Sequence, residues 1–571
     1  MSGPEIARRF NIRVPLRDGG TLSADLTLPA MALSSTALSS RTPSPTTPAR
    51  PGQAPAAPVP AVVIRTPYGK AGEVQTKRGE TFAKGGYALL SVDVRGRGDS
   101  DGEFEPYRND GPDGADVIAW AAAQDWCTGD VATYGGSYGG KIQWLTALER
   151  PPALRAMVCL VTPSDPFVEW PTGLPTPMHI NWYRLTDGRG AQYTGNVDWM
   201  SVYAHRPLLT MDEAAGFHAP VWREELRHQV LDDWWEPHRY QHRIAEVDVP
   251  VLHISGWYDD EQIGTPANFA AMMAAGKPGQ RLLMGPWGHA VNTKRVLGEV
   301  DFGPDALIDL DRHVLDFLDE HVRGIRPTAP PAPARIFVMG ANEWRDARAW
   351  PPEDATRTVL YLSGSGHANS RFGDGELTAE PPAPAPPGQE QPPDQWTHDP
   401  DRPVPFITGE GSGQIGGPDD YLGVESRGDL LTFTSQVLAQ PLEIIGPVRL
   451  VAHVATDAAD TDITAKLVDV HPGGFAQRLC DGIVRLRYRD GPAASLPVTP
   501  GEVYEVEVVM WDTCVRLAPG HRIRLEIASS AFPKFDVNLG TGGDMITETE
   551  GVRAVNRLWH TAARPSRLLL G

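Results

Sequence analysis

A serine stands in the G-x-S-x-G frame at Gly135, Ser137 and Gly139, between a short β-branched run and a helical pattern. This frame is typical of a nucleophile elbow, where the chain turns sharply from a strand into a helix. Side chains two residues before and after the serine would collide in such a turn, which explains the two glycines. The amides at the start of the helix would face a developing oxyanion. The frame therefore predicts a nucleophile at Ser137, the alternative being a glycine-rich turn with an incidental serine.

A serine hydroxyl is a poor nucleophile near neutral pH, so a carboxylate and a histidine base should follow it along the chain. A buried strand is predicted at 250–255, and Asp259 lies just beyond its carboxyl end. A second strand is predicted at 281–284, and His289 leaves it in a turn rich in glycine and proline. Of the 16 histidines, His289 has the placement that a base requires, with Asp259 to orient it. A structural histidine and a helix-capping aspartate are the alternatives.

Further motifs accompany these three positions in a fixed order, at residues 17–22, 65–68, 92–102, 126–130, 256–259, 285–289 and 399–405. Together they resemble the CocE/NonD family of α/β-hydrolases, the cocaine esterase and X-Pro dipeptidyl-peptidase group. The resemblance implies that the Tyr68 hydroxyl and the backbone N–H of Tyr138 form the oxyanion hole. A neutral phenol is a suitable donor for that role. The alternative for Tyr68 is a tyrosine that only packs at a strand end.

The resemblance also implies the fold class, an α/β-hydrolase domain with an inserted helical cap and a C-terminal jelly-roll β-sandwich. The residue pattern agrees, because apolar strands alternate with a predicted helix at 115–124, and a helix at 309–323 is expected to end the hydrolase part. Short β-rich runs from 336–339 onward indicate the antiparallel sandwich. The expected boundaries are 1–162 and 246–325 for the hydrolase domain, 163–245 for the cap and 326–571 for the sandwich.

Residues 30–60 form a segment of alanine, serine, threonine and proline in which Arg41 and Arg50 are the charged residues. Such a composition cannot bury enough apolar surface to order itself. It predicts a flexible insertion on the surface, with a docked polyproline II arm as the alternative.

The composition of the chain excludes some classes of binding partner. A formal net charge of -20 argues against nucleic acid and against anionic membranes. No run of 18 apolar residues occurs and the first ten residues hold no hydrophobic signal core, so a cytoplasmic location is expected. Cys127, Cys159, Cys480 and Cys514 are too few and too far apart for a disulfide framework, and they predict buried thiols. The expected partner is a small-molecule ester or amide substrate, with a homo-oligomer left open.

The predicted chemistry is two-step acyl transfer through an acyl-enzyme, which requires no metal ion and no organic cofactor. The sequence leaves the identity of the substrate's acyl group open. Glu261 matches one of the carboxylates with which the related α-amino-acid ester hydrolases hold a substrate ammonium, although an acid at a helix N-terminus explains it equally well. Trp257 and Trp287 are expected to shape the pocket. The interpretations are a general esterase, an aminoacyl ester or amide hydrolase including a dipeptidyl-peptidase, and a non-catalytic or glycan-binding protein on a hydrolase scaffold.

Overall fold

The computed structural model describes residues 6–29, 57–386, 391–408 and 416–571. The insertion predicted at 30–60 lies outside the described residues except for its last four. Of these, Val59 and Pro60 already belong to a strand in which every residue is buried. The end of the predicted insertion is therefore corrected, because these two residues form part of a sheet.

A mixed sheet organises the first half of the chain. Its ten described strands follow the order β1-β2-β4-β3-β5-β6-β7-β8-β11-β12, and β9 pairs separately with β10. The strands are β1 (Ile6–Pro15), β2 (Thr21–Pro29), β3 (Val59–Thr66), β4 (Ala88–Asp93), β5 (Cys127–Gly136), β6 (Leu154–Leu160), β7 (Val251–Gly256), β8 (Arg281–Gly285), β9 (Val296–Leu297), β10 (Val300–Asp301), β11 (Ala334–Val338) and β12 (Glu343–Ala347). Neighbouring strands in the run β4-β3-β5-β6-β7-β8 pair in parallel, so their carboxyl ends meet at one edge of the sheet.

Helices cover both faces of this sheet and fill the interval between β6 and β7. The described α-helices are α1 (Glu73–Lys84), α2 (Asp110–Ala122), α3 (Tyr138–Leu148), α4 (His179–Leu185), α5 (Trp199–Tyr203), α6 (Met211–Ala214), α7 (Pro220–Arg227), α8 (Gly264–Ala274) and α9 (Leu310–Arg323). Short 3₁₀ helices lie at Leu208–Thr210, Asp233–His238, Gln241–Glu246, Pro304–Ala306, Val424–Ser426 and Leu486–Tyr488. Among the helices described, none is both long and apolar enough to cross a membrane.

The cap region between β6 and β7 is held together by its own apolar core. This core includes Ile180 on α4, Met211 on α6 and Trp222 on α7, all buried. Tyr488 and Met545 of the C-terminal half belong to the same cluster. This segment therefore packs against the C-terminal domain.

A second sheet, of 11 described strands, makes the C-terminal half β-rich. The strands are β13 (Thr358–Ser363), β14 (Glu376–Thr378), β15 (Asp394–His398), β16 (Leu431–Ser435), β17 (Leu442–Thr456), β18 (Asp462–Val470), β19 (Ala476–Arg485), β20 (Tyr504–Leu517), β21 (Arg522–Ala528), β22 (Ala554–Trp559) and β23 (Arg567–Leu570). Their pairs are antiparallel except for β14 with β16.

The hydrolase sheet extends further along the chain than the sequence pattern predicted. β11 pairs in parallel with β8, with Ile336 opposite Met284, and β12 pairs with β11. The run at 336–339, which we assigned to the sandwich, therefore belongs to the first sheet, and α9 does not end it. A short buried strand has the same apolar signature in either sheet, so periodicity could not decide between them.

Candidate active site

Ser137 occupies a strained position between β5 and α3. Its backbone φ is 57° and ψ is -129°, a region that non-glycine residues rarely adopt and that costs energy to hold. A Cβ on Gly135 would lie 2.6 Å from the carbonyl oxygen of Gly139, closer than real Cβ atoms come. The Ser137 amide donates to the carbonyls of Leu160 and Val161 at 3.0 Å each. These contacts fix the turn so that the hydroxyl projects at the carboxyl edge of the sheet.

Asp259 and His289 meet at the same edge. Asp259 is buried just after β7, and its Oδ1 lies 2.8 Å from His289 Nδ1. Its Oδ2 accepts a hydrogen bond of 2.5 Å from the hydroxyl of Ser255. A Cβ on Gly256 would collide with the carbonyl oxygen of Trp287, so glycine allows the loops after β7 and β8 to approach. Bound at Nδ1, a neutral imidazole keeps Nε2 as a proton acceptor.

Asp260 supplies a second carboxylate to the same imidazole, and our sequence analysis gave it no role. Its Oδ1 lies 3.1 Å from His289 Nδ1. Burial lowers the pKa of His289, but the carboxylates of Asp260, Glu261 and Asp259 raise it by more, so the pKa stands well above its ordinary value. Burial raises the pKa of Asp260, but its interaction with the His289 imidazole lowers it. The net shift of the Asp260 pKa is downward.

Tyr68 reaches the serine from the loop after β3. Its hydroxyl oxygen accepts a hydrogen bond of 2.9 Å from the indole N–H of Trp182, and it interacts with the side chain of Ser137. Because the indole can only donate, the phenol keeps its own proton for another acceptor. Part of the Tyr68 surface is exposed, yet burial still raises the pKa of its hydroxyl. Tyr68 is therefore a neutral donor beside Ser137.

Tyr138 is the first residue of α3, so its amide has no acceptor within that helix. The side chain of Tyr138 is not part of the expected oxyanion hole, because it makes other contacts. The hydroxyl donates to the carboxylate of Asp110, and the ring stacks on Tyr107 with centroids 4.8 Å apart. These contacts anchor the start of the helix, and the amide remains beside Ser137.

The serine and the histidine open into a cavity of about 220 Å³. Aromatic side chains of the cap, Trp170 and Trp182, line one part of it. Trp511 and Phe535 of the C-terminal domain line another. All three parts of the chain therefore contribute to one cavity, whose lining combines aromatic with polar and charged side chains.

Five further ionisable side chains line this cavity, namely Lys141, Glu169, His179, Glu261 and Lys534. Glu261 lies near His289, and burial raises its pKa well above the ordinary value. Burial also raises the pKa of Glu169 to about 8. Lys141 donates from Nζ to the carbonyl of Ser164 at 2.7 Å, and burial lowers its pKa. Sequence reasoning missed Lys141, although its position one helical turn after the serine could have indicated it, and it missed Glu169, for which the cap loop gives no signal.

Trp257 and Trp287 do not line this cavity, which corrects our expectation for both. Trp257 is 4 % exposed and donates from its indole to the carbonyl of Phe337 at 2.8 Å. Trp287 is 1 % exposed and donates to the carbonyl of Ala306 at 2.7 Å. Each ring lies in a hydrophobic core behind the loops that carry Asp259 and His289. They support those loops, and the aromatic cavity walls come from other elements.

Comparison with known proteins agrees with this geometry. The family model described as X-Pro dipeptidyl-peptidase (S15 family) matches residues 45–291, and the X-Pro dipeptidyl-peptidase C-terminal non-catalytic domain matches residues 329–569. The chain is 32% identical over 595 residues to cocaine esterase of Rhodococcus sp. (strain MB1 Bresler), a match that covers 98% of this chain and 97% of that protein.

Two solved structures share the whole fold. An α-amino acid ester hydrolase and an aminopeptidase from the marine sediment archaeon Thaumarchaeota archaeon each superimpose with a TM-score of 0.84. Each alignment covers 99% of this chain and 96% of the other chain at 24% identity. The resemblance seen in the sequence motifs is confirmed: the chain belongs to the CocE/NonD family of α/β-hydrolases, the cocaine esterase and X-Pro dipeptidyl-peptidase group, and is a serine hydrolase.

Proposed function

We propose that the chain hydrolyses carboxylic esters through an acyl-enzyme on Ser137, with His289 as the general base and Asp259 as the carboxylate that orients it. The observation that carries this proposal is the 2.8 Å hydrogen bond between His289 Nδ1 and Asp259 Oδ1 at the mouth of the cavity that holds the serine. The imidazole takes the serine proton as the hydroxyl attacks the ester carbonyl. It then returns that proton to the leaving alcohol.

The oxyanion of each tetrahedral intermediate is held by the Tyr68 hydroxyl and the Tyr138 amide in this proposal. Both donors are in place before substrate arrives, so little reorganisation is needed when charge develops on the carbonyl oxygen. The partial positive charge at the start of α3 adds to the same field. A water molecule activated by His289 then releases the acid, and these steps use neither a metal ion nor an organic cofactor.

The acyl side of the substrate is expected to be bulky and aromatic. The cavity of about 220 Å³ has room for a ring-bearing acyl group, and Trp170, Trp182 and Phe535 offer faces against which a ring can stack. We propose that residues 163–245 act as the cap of the hydrolase domain, because two of these walls belong to that segment.

A substrate ammonium next to the scissile carbonyl is the second candidate, and Glu261 favours it. Its Oε2 is buried and has no hydrogen-bond partner among the described residues, and Glu169 lines the same cavity. Burial makes the ionised form of Glu261 costly, and an arriving ammonium would donate to the unpaired Oε2 and favour that form. The similarity to an α-amino acid ester hydrolase and an aminopeptidase points the same way.

A fluorophosphonate probe tests the ester-hydrolase proposal, because it reacts with activated serines and leaves a stable adduct. Peptide mapping should find the adduct on Ser137 and on no other residue. A panel of p-nitrophenyl acyl esters set against aminoacyl p-nitroanilides then ranks ester against amide substrates. Labelling of another serine would require a different nucleophile.

We also propose a cytoplasmic location. All four cysteines are buried free thiols, including Cys127 and Cys514, which fits a reducing compartment. The formation of a homo-oligomer stays a prediction.

A further inference from the structure

Three side chains with the chemistry of metal ligands converge at one end of the C-terminal sheet, outside the catalytic cavity. Asp469 lies near the end of β18, His471 in the turn that follows, and His521 directly before β21. Asp469 Oδ1 lies 2.8 Å from His521 Nδ1, and Asp469 Oδ2 lies 3.4 Å from His471 Nε2. The two imidazole centroids are 4.4 Å apart. All three donor groups therefore face one small volume.

The strand pairing brings these residues together. β18 is antiparallel to β21, with Val470 opposite Arg522, so the turn after β18 and the turn before β21 lie at the same edge. The first turn closes on itself, because the amide of His471 donates to the carbonyl of Phe475 at 2.9 Å. The donors are thus held by two neighbouring turns on a rigid sheet.

The buried carboxylate at this point needs a positively charged partner. Asp469 is buried, and within the described part of the chain its ion-pair partners are these two histidines. When both imidazoles are neutral, the buried carboxylate has no full countercharge, which is costly. The side chains of His471 and His521 are 32% and 16% exposed, so an ion could reach them from solvent.

We propose that Asp469, His471 and His521 bind one divalent transition-metal ion of the zinc type. Imidazole nitrogen and carboxylate oxygen are ligands that zinc commonly takes, and in a tetrahedral site they stand about 3.4 Å apart. The observed separations of 2.8 and 3.4 Å need only small side-chain shifts to reach that arrangement. The ion ties the two turns together, and it takes no part in ester hydrolysis.

Gln477 completes the surroundings of the site. Its Oε1 lies 3.2 Å from His471 Nε2, and its Nε2 donates to the hydroxyl of Tyr258 at 3.3 Å. The second contact fixes the amide with its oxygen toward the histidine. That oxygen, or a water molecule, is available for the fourth ligand position.

The test must separate this site from the catalytic carboxylates, because Asp259, Asp260 and His289 form a second group with suitable donor spacing. Full-length His289→Ala protein removes that group and is titrated with Zn²⁺ alone, free of other metals, by calorimetry. We expect one equivalent of zinc to bind and to raise the melting temperature. Adding His471→Ala or His521→Ala should weaken binding at least tenfold.

His453→Ala in the same background is the matched control, since His453 is another histidine of this sheet paired with a carboxylate, Glu505, at 3.1 Å. It should leave zinc binding unchanged. X-ray absorption at the zinc edge of the wild-type protein, loaded with one equivalent of zinc, does not depend on variants folding. It should report two imidazoles bound to the metal, whereas the group of Asp259, Asp260 and His289 would supply one. Absence of stoichiometric binding, or binding that survives both histidine substitutions, would overturn the proposal.

Discussion

Asp260 Oδ1 lies 3.1 Å from Nδ1 of His289, so the proposed base contacts a second carboxylate besides Asp259. Two neighbouring acids on one imidazole favour its protonated form. In the proposed mechanism the histidine must be neutral to accept the serine proton, so we expect this contact to influence the pH at which activity begins.

Asp260→Asn should therefore move the acid limb of the pH profile downward. In the wild-type enzyme, kcat/KM should rise with pH through an apparent pKa above the ordinary value of about 6.5, because the pKa of His289 is raised. Removing one carboxylate lowers that pKa and makes the base available at lower pH. Rates on a neutral p-nitrophenyl ester over a pH series measure the limb, and the exposed Asp316→Asn provides the control. An unmoved limb would show that Asp260 has no electrostatic role.

Tyr68→Phe removes one proposed oxyanion donor and leaves nucleophile and base intact. Turnover should fall roughly 100 to 1,000-fold, with little change in KM, because the lost hydrogen bond strengthens only in the transition state. Steady-state kinetics on one ester suffice. If KM rises and turnover stays the same, Tyr68 is a wall of the cavity and another group holds the oxyanion.

Glu261→Gln tests whether the substrate carries an ammonium group. If it does, phenylglycyl esters should be preferred over deaminated esters of the same shape, and the substitution should remove about 1 to 3 kcal/mol of that preference. Glu169→Gln, which changes a second acid of the same cavity, is measured on the same pair of esters.

Equal rates on the charged and the deaminated esters, in the wild type and in both variants, would contradict an ammonium-bearing substrate. The protein would then be a general carboxylesterase with an aromatic cavity.

Trp287→Phe should lower stability without changing substrate affinity. The indole is buried and donates to the carbonyl of Ala306, and phenylalanine would leave that carbonyl unpaired at a cost of about 1 to 3 kcal/mol. Thermal unfolding should give a lower Tm, while KM on esters of different size stays constant. A raised KM with an unchanged Tm would restore Trp287 to the substrate pocket.

The sequence alone predicted the family, the fold class and the positions that we propose for the triad. Those positions could be found because strand ends and tight turns leave local signals. Ser137 lies in a glycine frame, and His289 follows a short apolar strand in a glycine-rich turn. Parallel strands bring such ends to one edge, so chain order indicated proximity.

Other features depended on tertiary packing. Trp257 and Trp287 lie two positions before Asp259 and His289, yet their side chains pack into the core. Both pairs lie in the turns after β7 and β8, where strand alternation no longer tells which way a side chain faces. Glu169 reaches the cavity through the cap, whose short helices gave only a weak pattern. The contact of Asp260 with His289 depends on the turn after β7, and residue type alone does not specify that turn.

Whether Ser137 is the nucleophile is measured by the turnover of Ser137→Ala on a p-nitrophenyl ester. We expect kcat to fall about a million-fold, as when the nucleophile of a triad is removed, with an unchanged melting curve. A purified, folded variant that keeps more than a few per cent of wild-type turnover would contradict it.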